Sequence, residues 1–243
     1  MDWKGVTVQS DKSPSRIAGM FDAIAGRYDF LNHFLSAGID RRWRRRTIRS
    51  LSLTGRERVL DICTGTADLA MEAARARPSA AEVIAVDFAG AMLQVGRHKI
   101  VAERLIDRIH LIRGDATRLP IASGSVDAIT IAFGIRNVEN TNAACGEMTR
   151  VLRPGGRVAI LEFAIPTTRG VRALYLWYFN HVLPGLGRLI SRHDAAYGYL
   201  PESVSAFASP DEFVTILRQH GFGQISAVPL TFGIVFLYTA RRG

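Results

Sequence analysis

Three acids each follow a short apolar run: Asp61 after Val59-Leu60, Asp87 after Ala85-Val86, and Asp115 just past Ile109–Arg113. The first opens Asp61-Ile62-Cys63-Thr64-Gly65-Thr66-Ala67-Asp68, a glycine-containing turn of the kind that several nucleotide-binding folds place after a first strand. A dinucleotide site would set a doubly anionic pyrophosphate beside this turn, and Asp61 would repel it. A ligand carrying an ammonium and a sulfonium suits the same carboxylate, so the loop points to S-adenosylmethionine. Gly65 permits close backbone approach, while the Thr66 hydroxyl and amide can bond a carboxylate or ribose. Asp87 offers two acceptor oxygens to two neighbouring ribose hydroxyls, a feature NAD enzymes share. Asp115 can accept from an adenine amino group, with Ala116 packing or donating its amide. Any one of these acids is as readily a turn former or a helix cap. All three in register carry the reading.

To hold three such residues on one edge, the chain needs adjacent parallel strands. Short apolar runs alternate with amphipathic stretches after Gly55, the pattern of a parallel sheet covered on both faces. The runs predict strands at Arg58–Ile62, Glu82–Val86, Ile109–Arg113, Val126–Ala132 and Arg157–Phe163, with helices at Asp68–Arg77, Gly90–Glu103 and Asn142–Leu152. Arg153-Pro154-Gly155-Gly156 is a helix stop. Ser209-Pro210-Asp211-Glu212 is a helix start, and Gln224–Leu230 with Gly233–Ala240 form an antiparallel edge hairpin. Apolar positions at helical spacing from Ile17 to Leu35 predict a helical cap, and the aromatic segment Thr168–Ile190 a helical lid. The organisation read from this is a flexible tail at 1–13 and one domain at 14–243, divided into a cap (14–55), a cofactor-binding core (56–165), a lid insertion (166–205) and a C-terminal helix and hairpin (206–243).

Composition narrows the setting. The 31 Lys and Arg against 22 Asp and Glu leave a net charge of +9, which favours a polyanion or an anionic membrane surface. Two cysteines, Cys63 and Cys145, and a beginning without the apolar core of a signal peptide predict a cytoplasmic, reducing setting. No apolar run reaches the roughly 18 residues of a spanning helix. No Cys/His cluster has metal-ligand spacing, so no metal is expected.

Several segments together resemble one family, the C-methyltransferases of ubiquinone and menaquinone biosynthesis. They are MFDAIAGRYDFLNHFLSAGIDRRWRR, VLDICTGTADLA, DFAGAMLQVG, GDATRLP, ITIAFGIRNV, EMTRVLRPGGRVAILEF, HVLPGLG and YGYLPESV, in order from about Met20 to Val204. The resemblance implies a Rossmann-like class I methyltransferase fold: a mostly parallel seven-stranded sheet with an antiparallel edge strand, a helical N-terminal cap and a helical lid. It also makes Thr66, Asp87, Asp115 and Ala116 cofactor contacts. Two departures stand out. Ala132 occupies a position where the family often has Ser, and Cys63 with Ala67 sets this chain nearer the Cys-containing members, which favours demethylmenaquinol as substrate over 2-methoxy-6-polyprenyl-benzoquinol.

Methylating a ring carbon of such a quinol requires a neighbouring phenol, of pKa near 10, to lose its proton. Arg136 is assigned to stabilise the phenolate, being too basic to act as a general base, and Asn137 to orient a water or quinol oxygen. His33 and His181 are candidates for a proton relay, His181 being placed in the catalytic set. Tyr28, Asp29 and Asn32 shape the entrance, and Cys63 fits the turn rather than acting as a nucleophile. The polyprenyl tail suggests peripheral contact with the inner face of the membrane, through Trp43 among its arginines and through Leu174, Leu176, Trp177 and Phe179. Two rivals follow from other features. A basic pI prompts a nucleic-acid methyltransferase, against which the apolar lid speaks, so no nucleic acid is expected; a non-catalytic scaffold would not need the intact loop. A homodimer is left open.

Overall fold

The computed structural model describes residues 13–36, 38–76, 78–178, 181 and 194–243. The tail expected over 1–13 falls almost wholly outside these residues, as do Phe179 and most of the segment between the lid's two helices.

Five strands run parallel: β1 (Arg58–Ile62), β2 (Glu82–Asp87), β3 (Ile109–Arg113), β4 (Val126–Ala132) and β5 (Leu152–Phe163). Two more, β6 (Phe222–Leu230) and β7 (Val235–Arg242), form the expected hairpin. The order across the sheet is β3-β2-β1-β4-β5-β7-β6, with β7 antiparallel to both its neighbours and β6 outermost. The order reverses between β1 and β4. Ligands of open α/β sheets bind at such a point, outside the carboxyl ends of the strands.

Alternation along the strands feeds two cores. Val59, Ala128 and Ala159 face one side with α2 (Asp40–Ser50) and α3 (Asp68–Arg75). Leu60, Ile129 and Ile160 face the other with α5 (Thr141–Val151) and α8 (Pro210–Gln219). The cap is α1 (Pro14–Leu35), which sets Phe21, Ile24, Ala25 and Tyr28 against Ala89 and Met92 at the start of α4 (Gly90–Ala102). The lid consists of α6 (Arg169–Trp177) and α7 (Asp194–Ala206).

Local chemistry explains most boundaries. Asn140 caps α5 by accepting the Ala143 amide at 2.9 Å, and Ser209 with Glu212 completes a capping box on α8. Several boundaries move by one or two residues, and one by five: β5 begins at Leu152, not Arg157. Leu152 pairs with Val126 and Arg157 with Ala128, so the register shifts and Pro154-Gly155-Gly156 bulges out of a strand already begun. The β6–β7 turn needs no Asn-Gly, because Thr231, Phe232 and Gly233 all take positive φ (46, 59 and 85°).

Candidate active site

The loop from β1 to α3 is built on alternate left-handed residues: Cys63, Gly65 and Ala67 have φ of 54, 57 and 66°. Gly65 adopts this without steric cost, whereas Cys63 and Ala67 are strained by about 1 kcal/mol each or somewhat more. The neighbouring strand holds them. The Thr64 amide donates to the Val86 carbonyl at 3.0 Å, and the Gly65 amide to Asp87 Oδ2 at 2.8 Å. The other Asp87 oxygen accepts the Ala89 amide at 2.9 Å, so one carboxylate ties the loop to the start of α4. Burial pushes the Asp87 carboxyl above its ordinary range against the pull of the Ala89 and Gly65 amides. Each oxygen keeps a second acceptor site for a ribose hydroxyl.

Gly65, Asp87, Asp115, Ala116 and Asn137 line one cleft of about 790 Å³ at the carboxyl ends of β1 to β4, walled by Phe21 and Tyr28 of the cap. Asp115 is exposed, its Oδ1 accepting the Thr117 amide at 2.8 Å, and Ala116 is buried. Ala132, the departure from the family's Ser, is also in the wall. Asp61 lies beneath the loop instead. Thr64 and Thr130 donate their hydroxyls to its two oxygens, each at 2.5 Å. Burial raises its carboxyl to about 6 despite these two bonds, and Asp87 adds repulsion. A second cavity of about 360 Å³ adjoins the first, sharing Tyr28, Cys63, Gly65, Ala132 and Phe133 and lined further by Asp61, Thr66, Asp68 and Arg44. The Thr66 hydroxyl donates to Asp29 of the cap at 2.5 Å, and Lys99 of α4 binds Asp29 at 2.6 Å and Asp68.

Arg136 and Asn137 sit on a single 3-10 turn, Ile135–Asn137, directly after β4. Gly134 ahead of them has no room for a side chain: a Cβ there would lie 2.3 Å from Cys63 Cβ, so the two loops interlock. The Arg136 guanidinium points behind the cleft wall. It pairs with Glu162 of β5 at 2.7 Å, donates to the Phe133 carbonyl at 2.5 Å and to Ser203 Oγ at 3.3 Å, and its charge lies 5.5 Å from the Phe163 ring centre. Asn137 faces the cleft, and the Tyr199 hydroxyl of α7 donates to its Oδ1 at 3.0 Å.

Sequence reading missed Glu162, Tyr199 and Ser203. The signals were present: one acid in the otherwise apolar run Ala159–Phe163, and two hydroxyls within YGYLPESV. The histidines lie elsewhere. His33 Nδ1 is 2.9 Å from Asp40 in the cap, and His181 is exposed, stacked on Trp177 with Nδ1 3.1 Å from the Trp177 carbonyl. Trp43 corrects an expectation. It is buried, donates its indole N–H to Thr231 at 2.9 Å and packs with Phe133 and Phe163, so it belongs to the core and not to a membrane face. Leu174, Leu176 and Trp177 are exposed.

Known proteins match this arrangement along the chain. A protein of Syntrophotalea carbinolica named ubiquinone/menaquinone biosynthesis C-methyltransferase UbiE is 47% identical over 223 residues, covering 92% of either chain. The demethylmenaquinone methyltransferase of Bacteroides fragilis is 40% identical, covering 95% of this chain and 94% of that one. Among solved structures, a SAM-dependent methyltransferase of Thermotoga maritima superposes with a TM-score of 0.65 at 16% identity, over 93% of this chain and all of the other, a likeness of fold. The profile of one family spans residues 7–242, and with it the cap, loop, cleft and interlocked turns described above: the chain belongs to the ubiE/COQ5 methyltransferase family.

Proposed function

We propose that this protein uses S-adenosylmethionine to methylate a ring carbon of a reduced polyprenyl quinone precursor, demethylmenaquinol, yielding menaquinol. The observation that carries the cofactor half is the Asp87 carboxylate, fixed between the Gly65 and Ala89 amides at the edge of the cleft with acceptor sites to spare. Asp115 and Ala116 on the next strand suit an adenine, and the left-handed loop with Thr66 suits the amino-acid end. The bound cofactor supplies an electrophilic methyl on a positively charged sulfur. Asp61, ionised above its raised pKa, lies beneath the loop in the wall of the smaller cavity and favours that charge electrostatically.

On the substrate side, Asn137 presents its amide to a quinol oxygen, oriented by the Tyr199 hydroxyl that donates to its Oδ1. The Arg136 guanidinium, paired with Glu162 behind Asn137, directs its positive end toward the substrate and favours the phenolate over the phenol. The name of the Bacteroides fragilis relative supports the naphthoquinol; that of the Syntrophotalea protein spans both quinone pathways. Methyl-transfer assays on both reduced substrates, with Arg136→Ala alongside, test the proposal. Turnover of demethylmenaquinol, reduced about 100-fold or more in the variant, is expected from the loss of one electrostatic stabiliser. Full activity of Arg136→Ala refutes the phenolate role, and turnover of the benzoquinol alone moves the substrate to ubiquinone biosynthesis.

A polyprenyl substrate brings the protein to a bilayer. Exposed Leu174, Leu176 and Trp177 on α6, with Arg169 and Arg172 exposed on the same helix, support peripheral docking on an anionic surface. Among the described residues no helix is long and apolar enough to cross a membrane. Co-sedimentation with anionic liposomes is expected at low salt; its absence there ends the idea.

A further inference from the structure

The smaller cavity beside the cofactor loop poses a charge problem. A free amino acid end carries a carboxylate as well as an ammonium, yet the acids in the cavity wall, Asp61 and Asp68, suit only the ammonium. A carboxylate placed there needs a cation. Two are near. Lys99 binds Asp29 and Asp68 and lies 3.2 Å from Thr66 Oγ1, so its three donors already have three acceptors, and it does not line the cavity. Arg44, from α2 of the cap, does line it.

Arg44 is held in a way that leaves it open to a ligand. Both of its ion pairs, to Asp40 at 2.6 Å and to Asp68 at 3.0 Å, run through Nη1. Its side chain is only 12% exposed, and Asp40 is itself fixed by the Ser36 hydroxyl at 2.9 Å and by His33. A guanidinium has five N–H donors in a rigid fork, and the Nη2 and Nε donors are not used by these pairs. Across the cavity stands the Thr66 hydroxyl. Tyr28, its ring 3.9 Å from where a side chain on Gly65 would begin, lines both this cavity and the larger cleft, as do Cys63, Gly65, Ala132 and Phe133. The shared wall makes the two spaces parts of one site, a large adenosine compartment and a small charged one.

We infer that Arg44 is the carboxylate clamp for the methionine end of the cofactor, so that a residue of α2, outside the cofactor loop, decides whether an intact amino-acid end is bound. This rests on the S-adenosylmethionine reading above. It makes a sharp distinction between the cofactor and the same molecule lacking only its carboxylate.

Calorimetric titration of the full chain with S-adenosylmethionine and with decarboxylated S-adenosylmethionine tests it, using wild type, Arg44→Met and Arg44→Lys. Arg44→Met is expected to weaken S-adenosylmethionine by about 10- to 100-fold, the size of one charge-assisted hydrogen bond. It should leave the decarboxylated ligand within about threefold, which also reports that the variant is folded. Arg44→Lys should recover part of the loss, since it restores the charge without the fork. Equal weakening of both ligands in Arg44→Met, or none, overturns the clamp while leaving the cofactor reading standing. Failure of wild type to bind either ligand overturns the cofactor reading and the clamp with it.

Discussion

Asp61 is a carboxylate whose buried surroundings favour the neutral acid. With its carboxyl raised to about 6 in the fold, its contribution to stability is complete below the ordinary carboxylate pKa and is lost as pH rises through about 6. A bound sulfonium reverses the preference, because it stabilises the anion. Binding S-adenosylmethionine near pH 6 is therefore expected to release a proton that the neutral thioether S-adenosylhomocysteine releases less. Calorimetry in two buffers of different ionisation enthalpy measures the difference; equal release for both ligands would remove the field role of Asp61. Glu162 carries a second residue-scale expectation. It is fully buried and bonded to Arg136, so Glu162→Ala strands an arginine in the core and should cost about 3 to 5 kcal/mol in urea unfolding. Replacing both, as Glu162→Leu with Arg136→Met, should restore most of that stability but not the activity. A double variant that regains turnover would show the pair to be structural only.

Among elements, the informative contact is between two loops that share no sequence proximity. Cys63 occupies a left-handed conformation and aims its Cβ at Gly134, where a second Cβ would overlap it. Gly134→Ala should therefore displace the turn carrying Arg136 and Asn137, at about 1 to 3 kcal/mol of overpacking and about 2 to 4 °C of melting temperature per kcal/mol. Adding Cys63→Gly removes the clashing atom and relieves positive φ together. The pair should melt above Gly134→Ala alone; a further drop would refute the interlock. The lid is tested by His181→Gln. His181 lies past the end of α6, exposed and stacked on Trp177, so a loss of turnover in the variant supports the relay and unchanged turnover dismisses it.

At the scale of the whole molecule, cap, core and hairpin meet at Trp43. Its ring bridges Phe133 at the end of β4 and Phe163 at the end of β5, and its N–H reaches Thr231 in the β6–β7 turn. Trp43→Ala should cost about 3 to 5 kcal/mol, whereas Trp43→Phe should cost about 1 kcal/mol, mainly for the lost hydrogen bond. Thermal unfolding of the two variants separates ring packing from the bond; equal losses would mean that the bond carries the effect. Helices α1 and α2 thus complete the smaller cavity, α1 supplying Tyr28, with Asp29 bonded to Thr66, and α2 supplying Arg44 over a loop belonging to the sheet.

What the chain's order alone determined was the framework. Alternating apolar runs require a covered parallel sheet, Ser209 and Glu212 start a helix through bonds three residues apart, and Asp87 and Asp115 fall at strand ends because the runs end there. These are local properties, legible wherever period and capping chemistry are strong. The pairings across the fold were not legible. Glu162 lies 26 residues from the arginine it pairs with, Trp43 188 residues from the threonine it bonds, and Lys99 33 from Thr66. Side chains so far apart meet only once the sheet order has reversed between β1 and β4 and the cap has settled on α4. Tertiary structure alone therefore decided that Asp61 supports the loop from below, that Arg136 stands behind Asn137, and that Arg44 faces the small cavity, because each outcome depends on which charge is buried beside which.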